Sequence, residues 1–402
     1  MKKNLPTGGN VMRFEPSEQI DRLPEQFFAS LSRKVQELKE EGRDLINLGQ
    51  GNPDRPTPGP IVEKMQKAAE NPEYHKYSPF RGYAFLKEAA ADFYQREYGV
   101  TLDPKTEVAV LFGAKTGLVE ISQCLLNPGD TALLPDPGYP DYLSGTALAG
   151  AETVFMPLKE ENEFRPDFRE IEADVLTRAK MMFLNYPNNP TAGIATADFF
   201  EETVQTAVQH HICVVHDFAY GSLGYDGEKP PSFLQTPGAR EVGVEMYTLS
   251  KTFNMAGWRA AVAVGNASVI EMINKMQDHL YVSLFGAVQE TAAYAFDHGA
   301  GMAEDILNVY ESRRNVFIQA LRAQGAEVQA PRGSFFVWMK VPNGYTSASF
   351  TEKLLEKAGV VVAPGHGFGS MGEGYVRIGL LEEEERLKEA AVRIAGVAAE
   401  GK

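Results

Sequence analysis

The chain has 402 residues, of which 44% are hydrophobic and 23% charged, and a formal net charge of -15. This length allows about two or three domains with sizeable cores, and the ordinary composition excludes a disordered or fibrous chain. The acidic balance argues against nucleic acid or an anionic membrane as a main partner, since both select clustered Lys and Arg.

In chain order, residues 1–20 are rich in Gly, Pro and polar residues and read as an arm. Two early lysines are not followed by the apolar stretch of a secretion signal, and no apolar run approaches the length that spans a bilayer. Phe27, Phe28, Leu31, Val35 and Leu38 recur at steps of three and four, which predicts a helix from Pro24 to Glu41 with Gly42 as its stop. A short strand at 45–48 runs into the turn Gly49-Gln50-Gly51. Helices are predicted over 60–70 and 83–98, on either side of an aromatic and basic loop from Tyr74 to Gly82.

From Glu107 onward, short apolar runs at 108–112, 131–134, 153–156, 181–184, 212–215, 245–249 and 260–264 are separated mostly by helical stretches. This rhythm predicts βαβ units and an α/β fold with a mainly parallel central sheet covered on both faces. Lys115, Asn189, Asp217 and Lys251 fall at or just beyond the C-terminal ends of four runs. Open α/β sheets bind their ligands along that edge. A helical run from about Ala303 to Gln324 then opens a smaller α+β unit, with strands at 333–338, 360–362 and 375–378 and a closing helix at 382–399. The expected division is 1–47 as arm and helix packing with the small domain, 48–295 as the large ligand-binding domain, and 296–402 as the small C-terminal domain. Cys124 and Cys213 are the two cysteines, without a disulfide spacing. They suit a reducing compartment, and the expected location is cytoplasmic.

The most informative stretch is Met-Tyr-Thr-Leu-Ser-Lys-Thr-Phe-Asn-Met-Ala-Gly-Trp-Arg at 246–259. An amine attacks a carbonyl only when neutral, and Lys251 has the company that could lower its pKa. A reactive lysine, a carboxylate at a strand end (Asp217), a tyrosine three residues later (Tyr220), a loop asparagine (Asn189), and an arginine with hydroxyls (Arg259, Thr248, Ser250) together suit pyridoxal 5'-phosphate. Its aldehyde takes a lysine, its ring nitrogen takes a carboxylate, and its phosphate takes cationic and hydroxyl donors.

On these residues the chain resembles the class I and II aminotransferases, which are fold-type I pyridoxal-phosphate enzymes, from about Gly49 to Leu380. The most specific match is a hydroxyl-x-Ser-Lys with Arg eight residues on, here Thr248, Ser250, Lys251 and Arg259. The resemblance implies that Lys251 is the Schiff-base lysine and proton shuttle. It implies that Asp217 pairs with the pyridinium nitrogen, that Tyr220 and Asn189 bond the phenolic oxygen, and that Tyr139 stacks on the ring. Thr248, Ser250 and Arg259 would hold the phosphate with the backbone of Ala114 and Lys115 at a helix N-terminus. Tyr77 would reach the phosphate of a neighbouring subunit, which makes the expected unit a homodimer with shared sites. Arg377 would grip the substrate α-carboxylate near the backbone of Gly51. One departure is that the family's usual Asn-Pro-Thr-Gly reads Asn189-Pro190-Thr191-Ala192 here, with glycine only at 193.

The substrates implied are an L-amino acid and a 2-oxo acid. Leu23 to Leu31, Asn185 to Thr191 and His216 to Tyr220 resemble the aminotransferases of bacterial methionine salvage, which act on 2-oxo-4-methylthiobutanoate, and Phe27, Phe28 and Tyr77 would then offer an apolar wall. LL-diaminopimelate aminotransferase, sharing Gly113-Ala114-Lys115, and a pyridoxal-phosphate-dependent C–S β-lyase are the alternatives; a regulator would need a basic module ahead of Gly49. Gly367-Phe-Gly369-Ser-Met-Gly372 satisfies a dinucleotide fingerprint but precedes a predicted strand, not a helix. His210, His211 and His216 match no usual zinc spacing, so no metal is expected.

Overall fold

A computed structural model describes residues 14–24 and 28–399, the side chains of 28–31 excepted. Phe27 and the side chain of Phe28, two of the three members of the expected apolar wall, therefore lie outside the described residues.

A short helix, α1 (Glu18–Asp21), precedes α2 (Phe28–Glu40) and β1 (Ile46–Asn47). There follow α3 (Gly59–Ala69), α4 (Ala84–Tyr98), β2 (Val108–Leu111), α5 (Ala114–Leu125), β3 (Thr131–Asp136), α6 (Asp141–Ala149), β4 (Glu152–Pro157), α7 (Ala173–Arg178), β5 (Ala179–Asn185), α8 (Ala197–His210) and β6 (Cys213–Asp217). Next come α9 (Ala239–Val242), β7 (Gly243–Thr248), α10 (Leu249–Thr252), β8 (Ala261–Gly265), α11 (Ala267–Leu280), α12 (Gly286–His298) and α13 (Ala300–Ala323). The C-terminal part holds β9 (Phe336–Lys340), α14 (Ser347–Lys353), β10 (Val360–Val361), β11 (Ala363–Pro364), β12 (Tyr375–Gly379) and α15 (Glu384–Ala399).

Seven strands form the central sheet in the order β2-β8-β7-β6-β5-β3-β4. β8 alone runs against its neighbours; the β7-β6, β6-β5, β5-β3 and β3-β4 pairs are parallel. Every residue of β2, β3, β7 and β8 is buried, as expected of strands covered on both faces, where alternation gives way to continuous apolar runs. One face packs α4, α8 and α12 around Phe93, Tyr94, Phe200 and Phe296. The other packs α5, α6 and α11 around Leu118, Tyr142 and Ile270. Every parallel strand from β3 to β7 therefore delivers its C-terminal residues to one edge.

β9, β11 and β12 form a separate antiparallel sheet, with α13 and α15 contributing Phe317, Leu321, Leu387 and Ile394 to its own core. β1 pairs in parallel with β10, Ile46 opposite Val360, and Val35 of α2 packs with Leu355 and Val361. The strand predicted at 333–338 begins three residues later, because Ser334 sits at φ +58° and turns its N–H to the Leu223 carbonyl at 2.9 Å. Of the run at 360–362, Val360 and Val361 form β10, and β11 begins just beyond it at Ala363.

Candidate active site

The C-terminal edge of the central sheet and the small antiparallel sheet enclose a cavity of about 870 Å³. Gly51, Ala114, Lys115, Tyr139, Asn189, Asp217, Tyr220, Thr248, Ser250, Lys251, Arg259 and Arg377 all line it. Tyr77 does not: it is 90% exposed, in the loop between α3 and α4.

Lys251 projects from α10, the single helical turn that begins where β7 ends; Thr248 caps that turn by accepting the Ser250 N–H. Its ammonium donates to the Gly51 carbonyl at 2.6 Å and lies 5.5 Å from the Phe335 ring centre. Burial pulls its pKa down to about 8, helped by the positive charges of Arg377 and Arg259 and opposed by Asp217. The shift enlarges the neutral fraction of the amine, which is the form a nucleophile requires.

Asp217 ends β6. Burial pushes its carboxyl up to about 6, against the hydrogen bond from Tyr142. The Tyr142 hydroxyl donates to Oδ2 at 2.9 Å, while Oδ1 is buried and meets no donor among the described residues. An orphaned carboxylate oxygen is costly unless something absent here donates to it. A protonated heterocyclic nitrogen has the required chemistry.

Asn185, registered opposite Asp217 on the neighbouring strand, holds this corner together. Its Nδ2 donates to the Asp217 carbonyl at 2.7 Å, and its Oδ1 accepts the Asn189 N–H at 2.8 Å. Asn189 Oδ1 in turn accepts from Arg377 at 2.8 Å. Arg377 also donates to the Gly49 carbonyl at 2.9 Å, and its Nε is buried and unpartnered among the described residues. Its guanidinium lies 4.2 Å from the Phe336 ring centre and 4.7 Å from that of Phe368, and burial lowers its pKa to about 10. A cation pinned by rings, with a donor to spare, suits a carboxylate, which it can grip at two points.

The opposite end of the cavity suits an anion. α5 begins at Ala114 after Gly113, whose φ of +85° leaves no room for a side chain: an added Cβ would strike the Arg259 guanidinium. Arg259 itself sits at φ +57° and donates to the Ala256 carbonyl at 2.8 Å. Thr248 and Ser250 hydroxyls, 2.9 Å apart, complete a cradle at the N-terminus of a twelve-residue helix. The Lys115 ammonium turns away, to Asp141 at 3.0 Å, so its contribution to the cradle is its backbone.

The turn at Asn189-Pro190-Thr191-Ala192 forms without the glycine: Ala192 takes φ +58° and donates to the Asn188 carbonyl at 2.9 Å. Gly367 to Gly372 lies in two 3-10 turns that lead into β12 and bring Phe368 to the cavity. His216 points to the other face of the sheet, with Nδ1 2.7 Å from Glu245, while His210 and His211 end α8. No group of metal-ligating side chains was found among the described residues. Asn185, Tyr142, Phe336 and Phe368 were not predicted. The first two were legible only as polar residues near known turns, and the two phenylalanines only as apolar pattern.

The family described as "Aminotransferase class I and II" matches residues 43–394. The chain is 62% identical over 383 residues to "L-glutamine--4-(methylsulfanyl)-2-oxobutanoate aminotransferase" of Bacillus subtilis (strain 168), covering 95% of this chain and 96% of that one. It is 45% identical to an "LL-diaminopimelate aminotransferase" of Moorella thermoacetica, over 95% and 98% of the two chains. Among solved structures, substrate-bound BacF of Bacillus subtilis superposes with a TM-score of 0.92 at 49% identity, over 96% of this chain and 98% of that one.

Proposed function

The chain belongs to the class I and II aminotransferases, pyridoxal-phosphate enzymes of fold type I, and from that membership we propose that it transfers the amino group of L-glutamine to 2-oxo-4-methylthiobutanoate, giving methionine. Its high identity to a relative bearing that activity in its name supports this substrate pair. The observation that carries the site reading is Asp217, a buried carboxylate with one oxygen left without a donor among the described residues, beside a lysine of lowered pKa.

Pyridoxal 5'-phosphate supplies an aldehyde that bonds amines and a ring that accepts the electron pair left when an α-proton departs. Asp217 Oδ1 would accept a hydrogen bond from the ring nitrogen and so hold its proton in place. Asn189 and Tyr220 would bond the phenolic oxygen and Tyr139 would stack on the ring. Arg259, Thr248, Ser250 and the N–H groups of Ala114 and Lys115 would hold the phosphate. Lys251 Nζ would hold the aldehyde carbon of the bound cofactor, and its freed amine would be the base that takes the substrate's α-proton and gives it back. Burial, which lowers its pKa in the cofactor-free chain, favours the neutral amine that such a base requires. Arg377 binds the α-carboxylate and, with Gly51 nearby, fixes the Cα–H bond toward Lys251.

Val35, Val361, Phe336 and Phe368 also line the cavity, as do Ser32 and Gln36. A thioether and a carboxamide can share such a surface. Among the described residues lining the cavity, Asp217 is the sole carboxylate, so the distal ammonium of LL-diaminopimelate finds no counter-charge among them. Steady-state kinetics test this: kcat/KM with L-glutamine and 2-oxo-4-methylthiobutanoate should exceed that with LL-diaminopimelate by at least about a hundredfold. Comparable values would transfer the assignment to diaminopimelate. Release of ammonia and a 2-oxo acid without an acceptor would point to β-elimination.

The working unit in this reading is a homodimer. Tyr77, Phe80, Leu280 and Phe285 are exposed, and Ser78 bonds the Leu284 carbonyl at 2.7 Å, so these loops form one surface. Phe112, next to Gly113 at the anion cradle, meets Tyr281 of the same surface at 5.5 Å. A second copy there would cover the apolar patch and carry Tyr77 toward the cradle. Two free cysteines favour a cytoplasmic location, and no helix among the described residues is long and apolar enough to cross a membrane.

A further inference from the structure

Behind the proposed cofactor site, on the opposite face of the central sheet, lies a buried polar group with no evident part in the chemistry. His216 and Glu245 occupy registered positions on β6 and β7 and are fully buried. Glu245 accepts four hydrogen bonds: from Tyr94 Oη at 2.7 Å, Ser232 Oγ at 2.8 Å, the Phe233 N–H at 2.9 Å and His216 Nδ1 at 2.7 Å. No lysine or arginine is among these partners, so the carboxylate is stabilised by directed donors alone. Because a carboxylate accepts, His216 Nδ1 carries the proton. Its Nε2 is then an acceptor, and it takes the Tyr186 N–H at 3.3 Å.

The place of that bond matters. Asn185 and Asp217 are the last registered pair of the β5-β6 ladder. Tyr186 is the first residue beyond it, where the chain leaves the sheet for the loop bearing Asn188 and Asn189. The imidazole thus stands in for the strand that no longer accepts this N–H. On the site face, Asn185 ties the same corner to Asp217 and Asn189. Phe200, Phe218 and Phe233 surround the imidazole, with ring centres 5.1–6.3 Å away, and leave it little freedom.

We propose that His216 and Glu245 form a positioning pair: Glu245 fixes the imidazole tautomer, and His216, next to Asp217 on β6, anchors the end of β5 from which the loop carries Asn189 toward the cofactor. Neither residue touches cofactor or substrate. This rests on the site reading given above, which Asn189 and Asp217 variants test separately.

The test is the dissociation constant of pyridoxal 5'-phosphate from the holoenzyme, by equilibrium dialysis at a temperature where circular dichroism shows each variant folded. His216→Leu, which removes the acceptor, should weaken binding by about tenfold or more, and Glu245→Gln by a similar factor. His216→Gln, whose carboxamide can still accept from Tyr186, should stay within about threefold of the parent. If His216 acts through the loop, its effect and that of Asn189→Ala should combine to less than their product. Should His216→Leu fail to fold, Glu245→Gln carries the same comparison. Binding within about twofold of the parent in a folded His216→Leu protein would overturn the proposal, as would effects that simply multiply. A merely structural role would lower the melting temperature and leave the constant unmoved. If Asn189→Ala and Asp217→Asn themselves leave the cofactor affinity unchanged, the site reading fails instead.

Discussion

At the scale of single residues, the site holds groups that weaken the fold for the sake of chemistry. Asp217 titrates near 6 in the cofactor-free chain, against about 4 when unfolded. An acid whose pKa is raised by folding binds more protons folded than unfolded. The resulting deficit is absent at low pH, grows as pH rises from about 4 to 6, and persists above. Two units correspond to at most about 3 kcal/mol. Asp217→Asn should therefore stabilise the cofactor-free protein at pH 8 and much less at pH 4, while lowering turnover on the order of a hundredfold. Thermal melts at the two pH values, beside an activity assay, check both halves. Lys251 and Asp217 could be read in the sequence because the chemistry demands those residue types at strand ends. Tyr142 and Asn185 could not, since their value lies in contacts across 75 and 32 positions that no local pattern encodes.

At the scale of elements, the alternation of apolar runs and helices was legible because buried parallel strands need continuous apolar stretches and crossovers need helices. The antiparallel β8 carries the same apolar run, and nothing local marks its direction. α11 and α12 went unread. α11 offered a signal in Asn266, whose side chain accepts from the Ser268 and Val269 N–H groups as a cap. α12 is buried on several sides, with Gly286, Ala287, Gln289, Thr291, Ala292 and Ala293 all inside, so it shows no clean apolar stripe. The Ala192 turn is the opposite case, a local rule broken and the turn kept. A left-handed alanine costs about 1 kcal/mol that glycine does not pay, so Ala192→Gly should raise stability by roughly that amount and leave turnover within about twofold. Denaturant melts measure it, and a destabilised variant would mean that the buried methyl contributes more through packing than the backbone loses.

At the scale of the whole molecule, two cores meet over one cavity, with ligand-facing groups on both. Lys251 and Asp217 come from the central sheet, and Arg377 from the small antiparallel sheet. Arg313 in α13 bonds Asp54 at 2.8 and 2.9 Å, and Arg314 bonds Asp226 at 2.7 Å, so the long helix is fastened to two separate segments of the 48–295 part. We propose a division near residues 47 and 295, with the N-terminal segment travelling with the small unit through the β1-β10 pairing. If Tyr77 serves the neighbouring site, mixing Lys251→Ala and Tyr77→Ala chains creates hybrid dimers with one intact site. Random pairing then restores about a quarter of parent activity from two impaired proteins. No recovery on mixing, with exchange of chains verified, would confine each site to its own subunit.

The central claim, that Lys251 carries pyridoxal 5'-phosphate through an amino transfer, is tested most directly by the absorption spectrum of the holoenzyme during a half-reaction. The parent should show a visible band that L-glutamine or L-methionine converts to the spectrum of the aminated cofactor, and 2-oxo-4-methylthiobutanoate should restore it. Lys251→Ala should bind the cofactor without sustaining that cycle. A parent spectrum unchanged by any amino donor, or a Lys251→Ala protein that cycles normally, would contradict the account.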